Sequence, residues 1–247
     1  MPSSVDLPRF TCLLFGLSGD LVDFGALTLP RALQDFAPDT CATRLAEARH
    51  LQHEQALAHV LQRSPDADER AQLEALLHEH AGRYSAFTPG VEALLADLPQ
   101  LADSAAFIDE LPGPASQVLA AALLDRLPQG NLLPSRPTPA PDACWQALTS
   151  QGVPQLAGSV LISSQPRLLQ AGLNAGLWTI GLAACGALCG LGTDDWERLD
   201  ALQSDRLRAQ ATLELYRLGV HGVIDHLGEL QACLQDIAIR RGKGEKP

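Results

Sequence analysis

Lysine is almost missing from this chain. Its two lysines, Lys243 and Lys246, both fall in the terminal stretch RRGKGEKP, so every earlier positive charge is arginine, or histidine when protonated. A side-chain imine needs a primary amine, which excludes Schiff-base chemistry from everything before residue 243. Aromatic residues make up only 4% of the 247 residues. Long uncharged apolar runs are missing as well. The nearest, residues 177–191, is broken by glycines and too short to span a bilayer. The opening MPSSVDLPRF lacks a basic segment followed by a long apolar one, so no secretory signal is expected. A formal charge of −11 leaves no concentrated positive potential, which argues against nucleic acid and anionic membrane as partners. The six cysteines (12, 41, 144, 185, 189 and 233) show no zinc-like pairing, Cys185 and Cys189 being a lone C-x3-C. Reduced thiols and a cytoplasmic location are the expectation.

What is present is a chain 46% apolar, rich in leucine and alanine, long enough to bury a large core. Its organising stretch is Thr11–Gly25, TCLLFGLSGDLVDFG. An apolar run ending in glycines reads as a buried parallel strand leaving a sheet at its carboxyl edge, where ligands bind in open α/β sheets. Residues 26–85 then read as wholly helical: one helix through Leu45, Leu51, Leu57 and Leu61, a stop at Ser64-Pro65-Asp66, and a second helix through Leu73, Leu76 and Leu77. Thr88-Pro89-Gly90 marks a return to the core. Further strands are expected at 105–108, 159–162, 177–182 and 220–224, with Trp178 and Ile180 as core residues. Helices are expected between them at 91–98, 115–127, around Trp145, after Ser164, at 204–218 capped by Ser204, and at 227–237. Such alternation argues a doubly wound parallel sheet. The expected division is a core of 1–25 and 86–240, a helical cap of 26–85, and a disordered tail of 241–247.

Two stretches carry a resemblance. Phe15–Gly25, FGLSGDLVDFG, is similar to the opening D-W-A-G-T-x-V-D-F-G motif of the phosphonoacetaldehyde hydrolase (phosphonatase) branch of the haloacid dehalogenase-like hydrolases. From Asn174 onward, NAGLWTIGL resembles N-A-G-M-W-T-V-G, and GVHGVIDHLGEL resembles A-x-x-V-I-D-x-x-x-E-L. Short matches at Pro89-Gly90-Val91 and Arg136-Pro137 lie between. The resemblance implies a Rossmann-like core with a small cap inserted after the first strand, in agreement with the insertion read from helical patterning.

The same resemblance implies a site. It would hold a nucleophilic aspartate directly after the first strand, magnesium on that aspartate and on a later carboxylate, and an imine-forming lysine in the cap. Position 16 is glycine. The later G-D-x-x-x-D pattern falls on Ser163–Leu168, with Ser164 and Leu168 at its acidic positions, and Ser18 stands in the turn. No catalytic residue and no cofactor is therefore expected, and His50 falls near the lysine position. What remains is a candidate pocket for a small anion or polar metabolite: the Gly16-Leu17-Ser18-Gly19 turn as a nest of backbone N–H groups, with Asp20, Arg136, Ser163 and Ser164. Asp20 is expected to point toward the cap, where it could serve as acid or base. Asp23 is expected to tie the turn to neighbouring backbone. Asp109 and Glu110, where the resemblance places a phosphate-binding serine or threonine, read as a solvated loop pair. His50, His53, His78 and His80 read as solvated helix histidines rather than metal ligands. Three functions stay open: an inactive phosphonatase relative that binds a ligand or a regulatory partner, a metal-independent hydrolase or lyase using Asp20 with Ser18 or Arg136 assisting, and a structural protein whose cap hairpin dimerises with itself or with an active homologue. The resemblance implies a homodimer through the cap.

Overall fold

A computed structural model describes residues 9–132 and 136–247. Phe10–Gly16 forms strand β1, and every residue but Thr11 is buried. The chain then enters four helices: α1 (Thr28–Phe36), α2 (Ala42–Ala48), α3 (His53–Leu61) and α4 (Ala67–Tyr84). It returns through α5 (Val91–Leu101) to β2 (Ala102–Ile108) and runs on through α6 (Gly113–Ala120) and α7 (Asp142–Ser150). The rest alternates: β3 (Ser159–Ser163), α8 (Pro166–Asn174), β4 (Trp178–Leu182), α9 (Thr193–Glu197), α10 (Ala201–Leu218), β5 (Gly222–Ile224) and α11 (Leu230–Gly242). The five strands pair in parallel in the order β2-β1-β3-β4-β5. This is the doubly wound sheet expected from the alternation, with β1 between β2 and β3.

Side-chain alternation along β1 sorts the two faces, since successive residues of a strand point to opposite sides. Leu13 and Phe15 join one apolar cluster, while Cys12 and Leu14 join another with Leu161, Leu168 and Leu177. The first cluster is continuous with Leu33, Leu57, Leu73 and Leu77 of the cap. Cap and core thus share apolar packing. Leu73 and Leu77 are spent inside it, with Leu76 packed against it. Trp178 and Ile180 are core residues, as expected.

Several boundaries differ from the sequence reading. The single helix expected through Leu45–Leu61 is broken at residues 49–52, where the N–H groups of His50 and Leu51 turn back to Glu47 and Ala48 and Gln52 starts a new helix. Apolar spacing carries across the break, so periodicity alone reads through it. The helix expected to reach Leu127 ends at Ala120 and continues as turns. The cap of α10 is Asp200 rather than Ser204: Asp200 accepts from the Gln203 N–H while Gln203 accepts from Asp200, a reciprocal pairing that satisfies two otherwise orphaned donors. Gly219 ends α10 in the left-handed conformation (φ 92°). The tail is ordered further than expected, with α11 reaching Gly242 and the Arg240 guanidinium donating to Glu245.

Candidate functional site

β1 delivers Gly16 to the carboxyl edge of the sheet, opposite Ile108 in β2. The turn beyond it is closed on itself. The Gly19 N–H donates to Val22 O, and the N–H groups of Asp20, Leu21 and Val22 all converge on Leu17 O. Of the Gly16–Gly19 stretch expected as a nest, the Gly19 N–H is used within the turn.

Asp20 reverses its expected direction. It points inward, fully buried, with Oδ2 accepting the Ser163 hydroxyl (2.6 Å) and Oδ1 accepting the Ser164 N–H (2.6 Å). A β-carbon built on Gly16 would overlap Asp20 Oδ2 and sit 2.8 Å from Ser163 Oγ. The Asp20 carboxylate thus fills the space that a side chain at position 16 would occupy. The physical reason is local: glycine leaves a void beside β1, and the end of β3 lines it with two donors. Thr88 Oγ1 donates to the Asp20 carbonyl, tying the turn to the returning chain. Burial pushes Asp20 up to about 6, with the bonds from Ser163 and Ser164 pulling the other way.

Asp23 does tie the turn to backbone. Its carboxylate accepts from Ser18 Oγ (2.7 Å), Leu27 N (2.8 Å) and Thr28 N (3.0 Å), capping the start of α1 from outside the helix. Asp23→Ala is expected to cost roughly 1–3 kcal/mol, because two helix-end donors and a buried hydroxyl lose their acceptor. Urea unfolding measures this, and a loss under a few tenths of a kcal/mol contradicts the role.

Asp109 and Glu110 are not a solvated pair. Asp109 is 7% exposed, with Oδ1 accepting the N–H groups of Glu110 and Leu111. Its Oδ2 has no hydrogen-bond partner among the described residues. Burial raises Asp109 to about 6, with the Ser116 hydroxyl and the Leu111 and Glu110 N–H groups pulling the other way. The Glu110 carboxylate accepts from Gln52 of the cap and from Thr138 (3.1 Å). The α2–α3 break meets the end of β2 at Glu110, where Gln52 and His53 bond to it. That contact is a tertiary event with no local signal.

Between cap and sheet edge lies a cavity of about 60 Å³, room for roughly four waters. Its walls include Arg49, His50, Gln52 and His53 from the α2–α3 break, Asp109 and Glu110 from the end of β2, and Gln165 and Arg167 from the start of α8. Of the residues expected to bind a ligand, only Ser18 lines it. Gly16, Leu17 and Gly19 do not line it. Asp20, Ser163 and Ser164 bond to one another instead. Arg136 is outside: its side chain is 70% exposed and paired with Asp142. Leu168 is apolar core. The arginines at the cavity are Arg49 and Arg167, the latter lying within the Ser163–Leu168 stretch but between Ser164 and Leu168.

The histidines divide. His50 and His53 line the cavity rather than facing solvent alone, and His53 Nδ1 meets the Glu110 carbonyl (3.0 Å). Burial and the neighbouring Arg49 lower the His50 pKa. His80 is buried against Asp35 (2.8 Å), and His78 is exposed on α4. Among the described residues no three histidine, cysteine or acidic side chains converge as a metal site. Magnesium, which the resemblance implies for active relatives, demands several oxygen ligands in octahedral array. The one carboxylate beside Gly16 already accepts hydrogen bonds on both oxygens, so these residues do not fit the ion.

A parallel strand ending in a tight turn, with helices inserted directly after it, is an arrangement shared with solved haloacid dehalogenase-like hydrolases. The chain is 29% identical to the phosphonoacetaldehyde hydrolase of Bordetella pertussis over 97% of its own length and 96% of that protein. A solved structure 45% identical covers 97% of this chain and all of its own, with a TM-score of 0.72. A phosphonoacetaldehyde hydrolase-like protein from Oleispira antarctica, 19% identical, covers all of this chain and 99% of its own with a TM-score of 0.80. No family model matches. The chain is thus related to the phosphonoacetaldehyde hydrolases along nearly its whole length and shares the haloacid dehalogenase-like fold.

Proposed function

We propose that this protein is a phosphonatase relative that does not perform the branch's hydrolysis and instead binds a small polar molecule between cap and core. The observation that carries the reading is the Asp20 carboxylate, packed where a side chain at position 16 would stand. A nucleophile there would need that space, and charge-neutralising cations beside it to approach a phosphoryl dianion. Position 16 has no side chain, the space is filled, and no lysine precedes residue 243 to form an imine. The cavity keeps polar groups on both cap and core walls, which is what a bound molecule needs for orientation. Asp20 does not serve as an acid or base in this reading, since it is fully buried and does not line the cavity.

The test is an assay of the purified protein with Mg²⁺ against phosphate esters and phosphonoacetaldehyde, followed by borohydride reduction of the aldehyde mixture and mass mapping. The expected result is no turnover above a no-enzyme control and no reduced adduct within residues 9–242. Turnover that co-purifies through repeated chromatography overturns the reading.

A further inference from the structure

We propose that Arg49 of the cap and Arg167 of the core form a clamp for one small oxyanion, a short carboxylate or a tetrahedral ion of phosphate size; the proposal rests on the cavity being the binding site proposed above. Both side chains line that cavity, and both residues are half-buried. Arg49 closes α2 and donates Nε to Ala46 O (3.2 Å). Arg167, in the first turn of α8, donates Nε (3.2 Å) and Nη2 to Thr138 O. Each guanidinium is thereby oriented through a backbone carbonyl. The nitrogens left over, both terminal ones of Arg49 and Nη1 of Arg167, meet no acceptor among the described residues. Neither side chain has a carboxylate within ion-pair distance there, whereas Arg63, Arg83, Arg136 and Arg208 each hold one. Guanidiniums with unspent donors at a cavity wall match an oxyanion in charge and geometry.

The acidic residues at the end of β2 do not answer these two charges. One Glu110 oxygen takes the Gln52 amide N–H and the other the Thr138 hydroxyl. Asp109 spends Oδ1 on the N–H groups of Glu110 and Leu111, and its Oδ2 is sealed from solvent, as is Ser116 Oγ. The positive potential of the cavity is therefore uncompensated. His50, on the same wall, registers it: burial and Arg49 lower its pKa, with Glu214 opposing. α8 adds to the potential, since its N-terminus has no acidic residue in the first turn and no side-chain cap. A neutral molecule filling the cavity would take water from two guanidiniums without supplying a charge, which is costly. An oxyanion supplies it, and a volume of about 60 Å³ limits its size. This site is distinct from the position beside Gly16, which does not line the cavity. Neither arginine stands at a position where the resemblance implies a catalytic or metal-binding group.

The experiment is titration calorimetry on the full chain with acetate, inorganic phosphate and sulfate, against acetamide, which has the shape of acetate without its charge, and ethylamine. At least one oxyanion is expected to bind roughly tenfold or more tightly than acetamide or ethylamine, the difference that one charged hydrogen bond makes. Acetate as the tightest probe identifies a carboxylate ligand, and phosphate or sulfate a tetrahedral one. Arg49→Met and Arg167→Met keep the apolar stems and should each weaken that oxyanion roughly tenfold or more. Arg136→Met, outside the cavity, should leave it unchanged. The wild-type probe series decides the matter alone if a cavity variant fails to fold. Acetamide binding as tightly as every oxyanion overturns the proposal while leaving a polar-ligand site standing. Failure of all three oxyanions to bind, or a loss with Arg136→Met equal to that with Arg167→Met, overturns it as well. Turnover in the Mg²⁺ assay is a separate result, and it overturns the proposed function instead.

Discussion

Gly16→Ala is expected to destabilise the protein by about 3 kcal/mol, a large effect for one methyl group. The new β-carbon would overlap Asp20 Oδ2 and crowd Ser163 Oγ, and neither can retreat easily because both are fully buried and bonded to each other. The origin of the cost is testable by a double-mutant cycle. Asp20→Ala alone loses the two acceptors that satisfy Ser163 and the Ser164 N–H, which costs about 1–3 kcal/mol per unsatisfied buried donor, offset in part by no longer burying a carboxylate. In that background the residue-16 methyl group enters vacated space, so Gly16→Ala should cost less than about 1 kcal/mol, a coupling of roughly 2 kcal/mol. Equal costs in both backgrounds, read by urea unfolding, would show that the carboxylate does not fill the space. The cycle also bears on any attempt to install a nucleophile. Gly16→Asp by itself adds a side chain to an occupied site, and expectation is for a less stable protein without turnover.

The second large effect is a pH dependence centred on the same side chain. Asp20 titrates near 6 in the folded protein, against an ordinary value of 3.8. The folded state therefore holds the proton more tightly than the unfolded chain, and between those two values it is the folded protein that carries more protons. Stability contributed by this group is complete below pH 4, falls as pH rises through 6, and is level above that. A shift of this size corresponds to roughly 3 kcal/mol. Asp109, also raised to about 6, acts in the same direction. Asp20→Asn keeps the shape and an acceptor for the Ser164 N–H but does not titrate. Relative to wild type it should gain stability by roughly 3 kcal/mol between pH 4 and pH 7, as measured by urea unfolding across that range. Parallel curves for the two proteins would mean that Asp20 is not a buried carboxyl.

The contrast between Asp20 and Asp23 shows how much of the site could be read from residues. Both lie in the same glycine-punctuated turn. Asp23 was legible because its partners, Leu27 N and Thr28 N, are four and five residues away, within range of local capping rules. The partners of Asp20 are Ser163 and Ser164, more than 140 residues on, brought alongside only because β3 pairs next to β1. Asp109 and Glu110 repeat the lesson. Charge predicts exposure, but the α2–α3 break meets the end of β2 and Gln52 reaches Glu110 across 58 residues. Arg136 was placed by a dipeptide match and proves to be a surface residue paired with Asp142. Arg167, within the Ser163–Leu168 stretch, and Arg49 of the cap carry the positive charge at the cavity instead.

By itself the sequence determined the strand–helix alternation, the insertion after β1, the absence of an imine-forming lysine before residue 243, and the glycine at position 16. These rest on composition and on periodicities that each segment expresses alone. Tertiary structure decided where the charges go. It turned Asp20 into the space beside Gly16, buried Asp109, and set Arg49 and Arg167 around one cavity. The physical reason is that a charged side chain settles according to the donors, dielectric and free volume around it, and in a parallel sheet those surroundings are supplied by strands and a cap distant in the chain.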